Sequence, residues 1–191
     1  MLSPDDALVI VDVQNDFLPG GSLAVPHGDE VLAPLNGYLA AFARQGLPVY
    51  ATRDWHPPNH CSFIGHGGQW PPHCIAGTAG ARFAAALHLP PDACLVSKAT
   101  GAKTEAYSGF SGTGLDGLLR DAGVRHLFVG GLATDYCVLG TVLDALNLGY
   151  AVLLLRDAIR AVDAKPNDGQ RALAEMLRLG ARSVELREIA G

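Results

Sequence analysis

Six short apolar runs, rich in Val, Ile and Leu, constrain the fold of this chain most: Ala7 to Val13, Pro48 to Thr52, Ala93 to Ser97, His126 to Gly130, Ala151 to Leu155 and Ser183 to Leu186. Each run is continuous rather than alternating, as expected of strands buried on both faces. Between them, apolar residues take helical spacing: Val31, Leu35, Leu39 and Phe42; Leu115, Leu118 and Leu119; Val138, Val142 and Leu146; Leu173, Met176, Leu177 and Leu179. Gly46, Gly123, Gly149 and Gly180 follow these segments where a left-handed C-cap belongs. Strand and helix alternate, which predicts a three-layer α/β/α sandwich with a mostly parallel sheet and helices on both faces.

With 191 residues, 49% of them hydrophobic, and no long polar or Pro/Ser-rich linker, one domain over residues 1–191 is expected. Lys and Arg total 14 against 19 Asp and Glu, so there is no basic stripe to meet a phosphate backbone, and nucleic acid is excluded as a partner. No apolar stretch reaches the roughly 18 residues of a membrane span, and the first run has acidic flanks, which reads as a cytoplasmic protein with no membrane partner. Cys61, Cys74, Cys94 and Cys137 are too sparse for a disulfide scaffold and read as free thiols.

In an open α/β sheet, ligands gather beyond the carboxyl ends of the strands. Asp12, Asp54, Lys98 and the turn Gly131-Leu132-Ala133-Thr134 all fall at or just after such ends. The densest chemistry lies in Asp54-Trp55-His56-Pro57-Pro58-Asn59-His60-Cys61-Ser62-Phe63, answered by Trp70-Pro71-Pro72-His73-Cys74. Asp54 and His56 are two apart, so in an extended backbone they share a face. His73, returning from a second proline-stiffened loop, can complete a divalent metal site with open positions. His60 keeps two readings, as a fourth protein donor or as a residue that orients a ligand.

Cys137 follows Gly130-Gly131-Leu132-Ala133-Thr134-Asp135-Tyr136, where a strand turns into a helix whose expected cap is Thr134. Unpaired amides at a helix start favour an anion, so the expectation is a thiol pKa lowered toward neutrality, with the same amides cradling an oxyanion. Alone, a cysteine at such a position is more often a small buried hydrophobe. Asp12 and Lys98 alter that reading: the ammonium favours carboxylate and thiolate, and the carboxylate relays the thiol proton to a leaving group. Together the three describe acyl transfer through a thioester. Lys103 is a second candidate for the lysine, disfavoured because it sits in a polar loop rather than at a strand end.

These residues carry a resemblance. Asp12-Val13-Gln14-Asn15-Asp16-Phe17 with Gly20-Gly21-Ser22-Leu23-Ala24-Val25, the two proline-stiffened runs, Tyr107-Ser108-Gly109-Phe110 and Gly131 to Val138 occur in the order found in the nicotinamidase/pyrazinamidase enzymes of the isochorismatase-like cysteine hydrolase superfamily. The chain resembles that family over nearly its whole length; Ala99, where the family often has glycine, is a departure. The resemblance implies a six-stranded parallel sheet, a triad of Asp12, Lys98 and Cys137, and a cis peptide between Leu132 and Ala133 that aims the Ala133 and Cys137 amides at an oxyanion. It also implies a divalent ion on Asp54, His56 and His73, zinc first, with iron or manganese as alternatives, and a ring pocket of Phe17, Leu23, Trp70 and Tyr107. The implied reaction deaminates nicotinamide to nicotinic acid and ammonia, with pyrazinamide as a further substrate, and a homo-oligomer is compatible with it. The competing readings are a metal-free amidohydrolase of the same superfamily acting on a carbamoyl, ureido or enol-ether substrate, and a non-catalytic small-ligand module. The second lacks GxGxxG or Walker spacing beside Gly130-Gly131.

Overall fold

The computed structural model describes residues 2–189. Its strands are β1 (Asp6–Val11), β2 (Val49–Asp54), β3 (Cys94–Lys98), β4 (His126–Leu132), β5 (Ala151–Arg160) and β6 (Arg182–Val184). They form one sheet in the order β3-β2-β1-β4-β5-β6, and every pairing is parallel. The sheet is thus wholly rather than mostly parallel. The helices are α1 (Leu32–Arg44), α2 (Leu115–Asp121), α3 (Leu139–Asn147) and α4 (Asp168–Arg178). Gly46, Gly123, Gly149 and Gly180 all take positive φ just beyond them, as expected of left-handed caps.

The alternation of side chains along β1 explains the three layers. Leu8 and Ile10 pack with Leu35, Tyr38 and Phe42 of α1 on one face. Ala7, Val9 and Val11 pack on the other with Leu115 and Leu119 of α2, Val142 and Ala145 of α3 and Met176 of α4. Both faces of β1 are fully buried, which is why its sequence reads as an unbroken apolar run.

Two local expectations are corrected. β5 continues five residues beyond Leu155 through a shifted register against β4, because its second half carries charged residues that periodicity does not score as strand. Thr134 is not a helix cap: Ala133 holds that place, no side chain caps the turn, and Thr134–Val138 is a π-helical turn running into α3.

The order of strands reverses between β1 and β4, so the crevice beyond their carboxyl ends is the switch point of the sheet. Gly131 permits the strands to meet there. Its φ is +125°, and a Cβ would lie 2.1 Å from the Val11 carbonyl oxygen. Gly131→Ala is expected to destabilise the fold by about 3 kcal/mol or more, combining backbone strain with overpacking. Gly117→Ala, with open space inside α2, should gain about 0.5–1 kcal/mol. Urea unfolding midpoints measure both; equal midpoints would contradict the packing at Gly131.

Candidate active site

Asp12 is the first residue past β1 and turns the chain with φ 49°. Lys98, the last residue of β3, brings a fully buried ammonium between two carboxylates, 2.9 Å from Asp12 Oδ2 and 2.5 Å from Asp54 Oδ1. Its Nζ also donates to the Ala106 carbonyl at 3.1 Å and toward Cys137 Sγ at 3.5 Å. Asp12 Oδ1 accepts from the Thr52 hydroxyl at 2.7 Å. Asp12 Oδ2 is ion-paired with Lys98 but receives no well-directed hydrogen bond. Asp12, Asp54 and Cys137 place an oxygen or sulfur each within 4.8 Å of one another. Lys103 is exposed and outside this cluster.

The electrostatics follow from burial and these partners. Burial works against the Lys98 ammonium, but the carboxylates of Asp12 and Asp54 outweigh it and raise its pKa. Burial raises Asp12, and the neighbouring Asp54 charge adds to this against the pull of Lys98. Burial also opposes ionisation of Asp54, yet Lys98 and His56 hold it below the usual carboxylate range. For Cys137 the sequence expectation is overturned. Burial pushes its thiol well above the ordinary value, and the Asp12 and Asp54 charges reinforce this against Lys98. Cys137 is only 6% exposed, so loss of water outweighs the amides of the turn. Cys137 is therefore a neutral thiol beside a proton acceptor.

Asp54, His56 and His73 are all buried and converge within 4.8 Å, with His56 Nε2 3.6 Å from Asp54 Oδ2. The ring Nδ1 of His56 faces the Ala99 carbonyl at 3.2 Å, and that of His73 faces the Pro71 carbonyl at 2.8 Å. Donation from Nδ1 to a carbonyl leaves Nε2 of each ring with a free lone pair, as in metal-ligating histidines oriented through their other nitrogen. One carboxylate and two imidazoles suit a divalent transition ion with open positions. His60 is engaged at both nitrogens, with the Ser62 hydroxyl at 2.7 Å and the Thr104 carbonyl at 3.0 Å. Its ring stacks on His56, centroids 4.1 Å apart. His60 thus packs directly behind a donor of the cluster.

Above the cluster lies a cavity lined by Phe17, Leu23, Trp70, Tyr107, Asp54, His56, His73, Ala133 and Cys137. The Trp70 indole donates to the Tyr107 hydroxyl at 3.1 Å. Both rings pack on Tyr136, with centroids 5.0 and 5.4 Å away. Tyr136 lines the cavity with Val25 and Val162, and sequence reasoning passed over all three. Its place next to Cys137 was the available signal. The Leu132-Ala133 peptide is cis, and among the described residues the Ala133 N–H has no acceptor.

The isochorismatase domain model matches residues 6–188. The chain belongs to the isochorismatase family. It is 41% identical to the nicotinamidase of Escherichia coli K12, with 93% of each chain covered. Zinc-complexed pyrazinamidase of Pyrococcus horikoshii superposes with TM-score 0.91 at 49% identity, covering 95% of this chain and 99% of that one. PnC1 of L. infantum, solved in complex with nicotinate, superposes with TM-score 0.88 at 39% identity, covering 95% and 93%. Among the described residues, no helix is long and apolar enough to cross a membrane.

Burial lowers the pKa of His73 below that of an unfolded histidine. The unfolded chain thus binds more protons in this range, so His73 contributes stability above about pH 6.5 that is lost as pH falls through 6.5 toward its folded value. In metal-free protein, the unfolding free energy should fall less between pH 7.5 and 5.5 in His73→Asn than in wild type. Parallel profiles from chemical denaturation would contradict this.

Proposed function

We propose that this protein is a cysteine amidohydrolase that deaminates nicotinamide to nicotinic acid and ammonia, and acts likewise on pyrazinamide. The observation that carries this reading is one buried cluster in which Cys137, Lys98 and Asp12 meet the Asp54, His56 and His73 donors beneath a cavity walled by aromatic rings. A thiol alone does not select a ring; the aromatic walls and the adjoining donor set supply that choice. The similarity to the nicotinamidases and pyrazinamidases above supports the same substrate class.

The chemistry follows from the electrostatics. Cys137 rests protonated, and Asp12 Oδ2 is the oxygen able to take its proton as sulfur attacks the carboxamide carbon. Lys98, held charged, lowers the cost of the forming thiolate and keeps Asp12 in place. The Ala133 and Cys137 amides receive the developing oxyanion. Collapse returns the proton from Asp12 to the leaving nitrogen, and ammonia departs from a thioester. Asp12 then deprotonates water as it attacks the thioester carbon, and returns that proton to the departing sulfur, releasing the acid and restoring the thiol. Asp54, His56 and His73 would hold a divalent ion, zinc being the leading choice, whose open position supplies a Lewis acid for the lone pair of the pyridine nitrogen. Phe17, Leu23, Trp70 and Tyr107 stack against the flat ring and exclude water.

Ammonia release should be measured on nicotinamide, pyrazinamide and a carbamoyl compound, with metal analysis of the same sample. Turnover of the two ring amides is expected to exceed that of the carbamoyl compound, and Cys137→Ala should abolish release with unchanged circular dichroism. Persistent turnover by that variant would falsify the thioester route. Chelation should act chiefly by raising KM for the ring amides, with zinc restoring it; activity in protein that contains no metal at all would remove the metal from the account.

A further inference from the structure

The segment after β1 contains polar residues at every second position, and the mechanism uses only Asp12. Gln14 is fully buried. Its carboxamide clamps the backbone of Asp54 from both sides: Oε1 accepts from the Asp54 N–H at 2.8 Å, and Nε2 donates to the Asp54 carbonyl at 2.8 Å. The positive φ of Asp12 turns the β1 backbone away, so the Gln14 side chain continues as the edge partner that β2 otherwise loses. A second Nε2 hydrogen donates to the Ala81 carbonyl at 2.9 Å.

Asp16 performs the equivalent task on the other loop. Its Oδ2 accepts from the Cys74 N–H at 2.7 Å, the peptide immediately after His73. The carbonyl of Cys74 in turn accepts from the His56 N–H at 3.0 Å. The two peptides flanking Cys74 are therefore held by Asp16 and His56, and Cys74 adopts φ 45° between them. Gly80 makes room for this carboxylate, since a Cβ there would lie 2.1 Å from Asp16 Oδ2. The segment itself is anchored to residues 79–84: the Asn15 N–H donates to the Arg82 carbonyl, the Asp16 N–H to Gly80, and the Ala84 N–H to Val13.

We propose that Gln14 and Asp16 are positioning residues that assemble the metal donor set from two separate loops, Gln14 fixing Asp54 and Asp16 fixing the His56–His73 spacing. This rests on the reading of Asp54, His56 and His73 as the metal site. Neither residue is offered as a ligand. Loss of a hydrogen-bond partner that orients a metal ligand typically lowers metal affinity by about ten- to a hundred-fold.

The test is Zn2+ affinity of metal-free protein, measured by competition with a chromophoric chelator and accompanied by ammonia-release kinetics. Asp16→Ala should weaken zinc binding at least ten-fold, whereas Asp16→Asn, which keeps an acceptor for the Cys74 N–H, should stay within three-fold of wild type. Gln14→Met should weaken it likewise; because it strands the Asp54 and Ala81 backbone groups, Asp16→Ala decides if that variant does not fold. Wild-type affinity in folded Asp16→Ala, or an equal loss in Asp16→Asn, overturns the assignment. A wild-type protein that releases no ammonia, with these affinity shifts intact, overturns the amidase reading and leaves the positioning role standing.

Discussion

The buried ammonium of Lys98 is the interaction on which the rest of the site depends. A lone charge with no exposure is too costly to retain, so Lys98 needs its carboxylate partners, Asp12 and Asp54, drawn from the ends of β1 and β2. Removing one partner from such a group typically costs about 3–5 kcal/mol, because the remaining charge is stranded. That constraint fixes the ends of three adjacent strands to one another. It also makes Asp54 a shared residue, with Oδ1 facing the lysine and Oδ2 facing His56. The proposed nucleophilic and metal-binding halves of the site are therefore joined through a single carboxylate.

This sharing has electrostatic consequences. With Lys98 positive and two carboxylates negative, further negative charge on Cys137 is unfavourable in a dry site. In the proposed mechanism, proton transfer to Asp12 therefore accompanies attack rather than preceding it, and the neighbouring Asp54 favours that step by raising Asp12. On that reading Cys137 rests as a thiol and loses its proton only while sulfur is bonding to carbon.

Much of this was legible in order along the chain. Continuous apolar runs gave the strands because parallel strands are buried on both sides, and the glycine caps marked the helix ends. Asp12, Asp54, Lys98 and Cys137 stood out because charged or nucleophilic residues directly after buried strands need partners. Gln14 and Tyr136 did not stand out. A buried glutamine that clamps a backbone 40 residues away leaves no local pattern, and an aromatic residue on a turn looks the same whether it faces a cavity or a core. The π-helical register at Thr134–Val138 was also invisible, since it depends on how β4 delivers the chain into α3.

The sequence by itself determined the layering, the strand directions and the residue types available at each strand end, because periodicity, propensity and caps are local properties. Only the tertiary structure decided the direction in which the Cys137 thiol shifts, the hydrogen-bond partners of His60, and the backbone clamps on Asp54 and Cys74. Each of these depends on burial and on distances between residues far apart in the chain. A pKa is set by which charges lie within a few ångströms and by whether water reaches them, and neither is fixed until the sheet has brought its strand ends together.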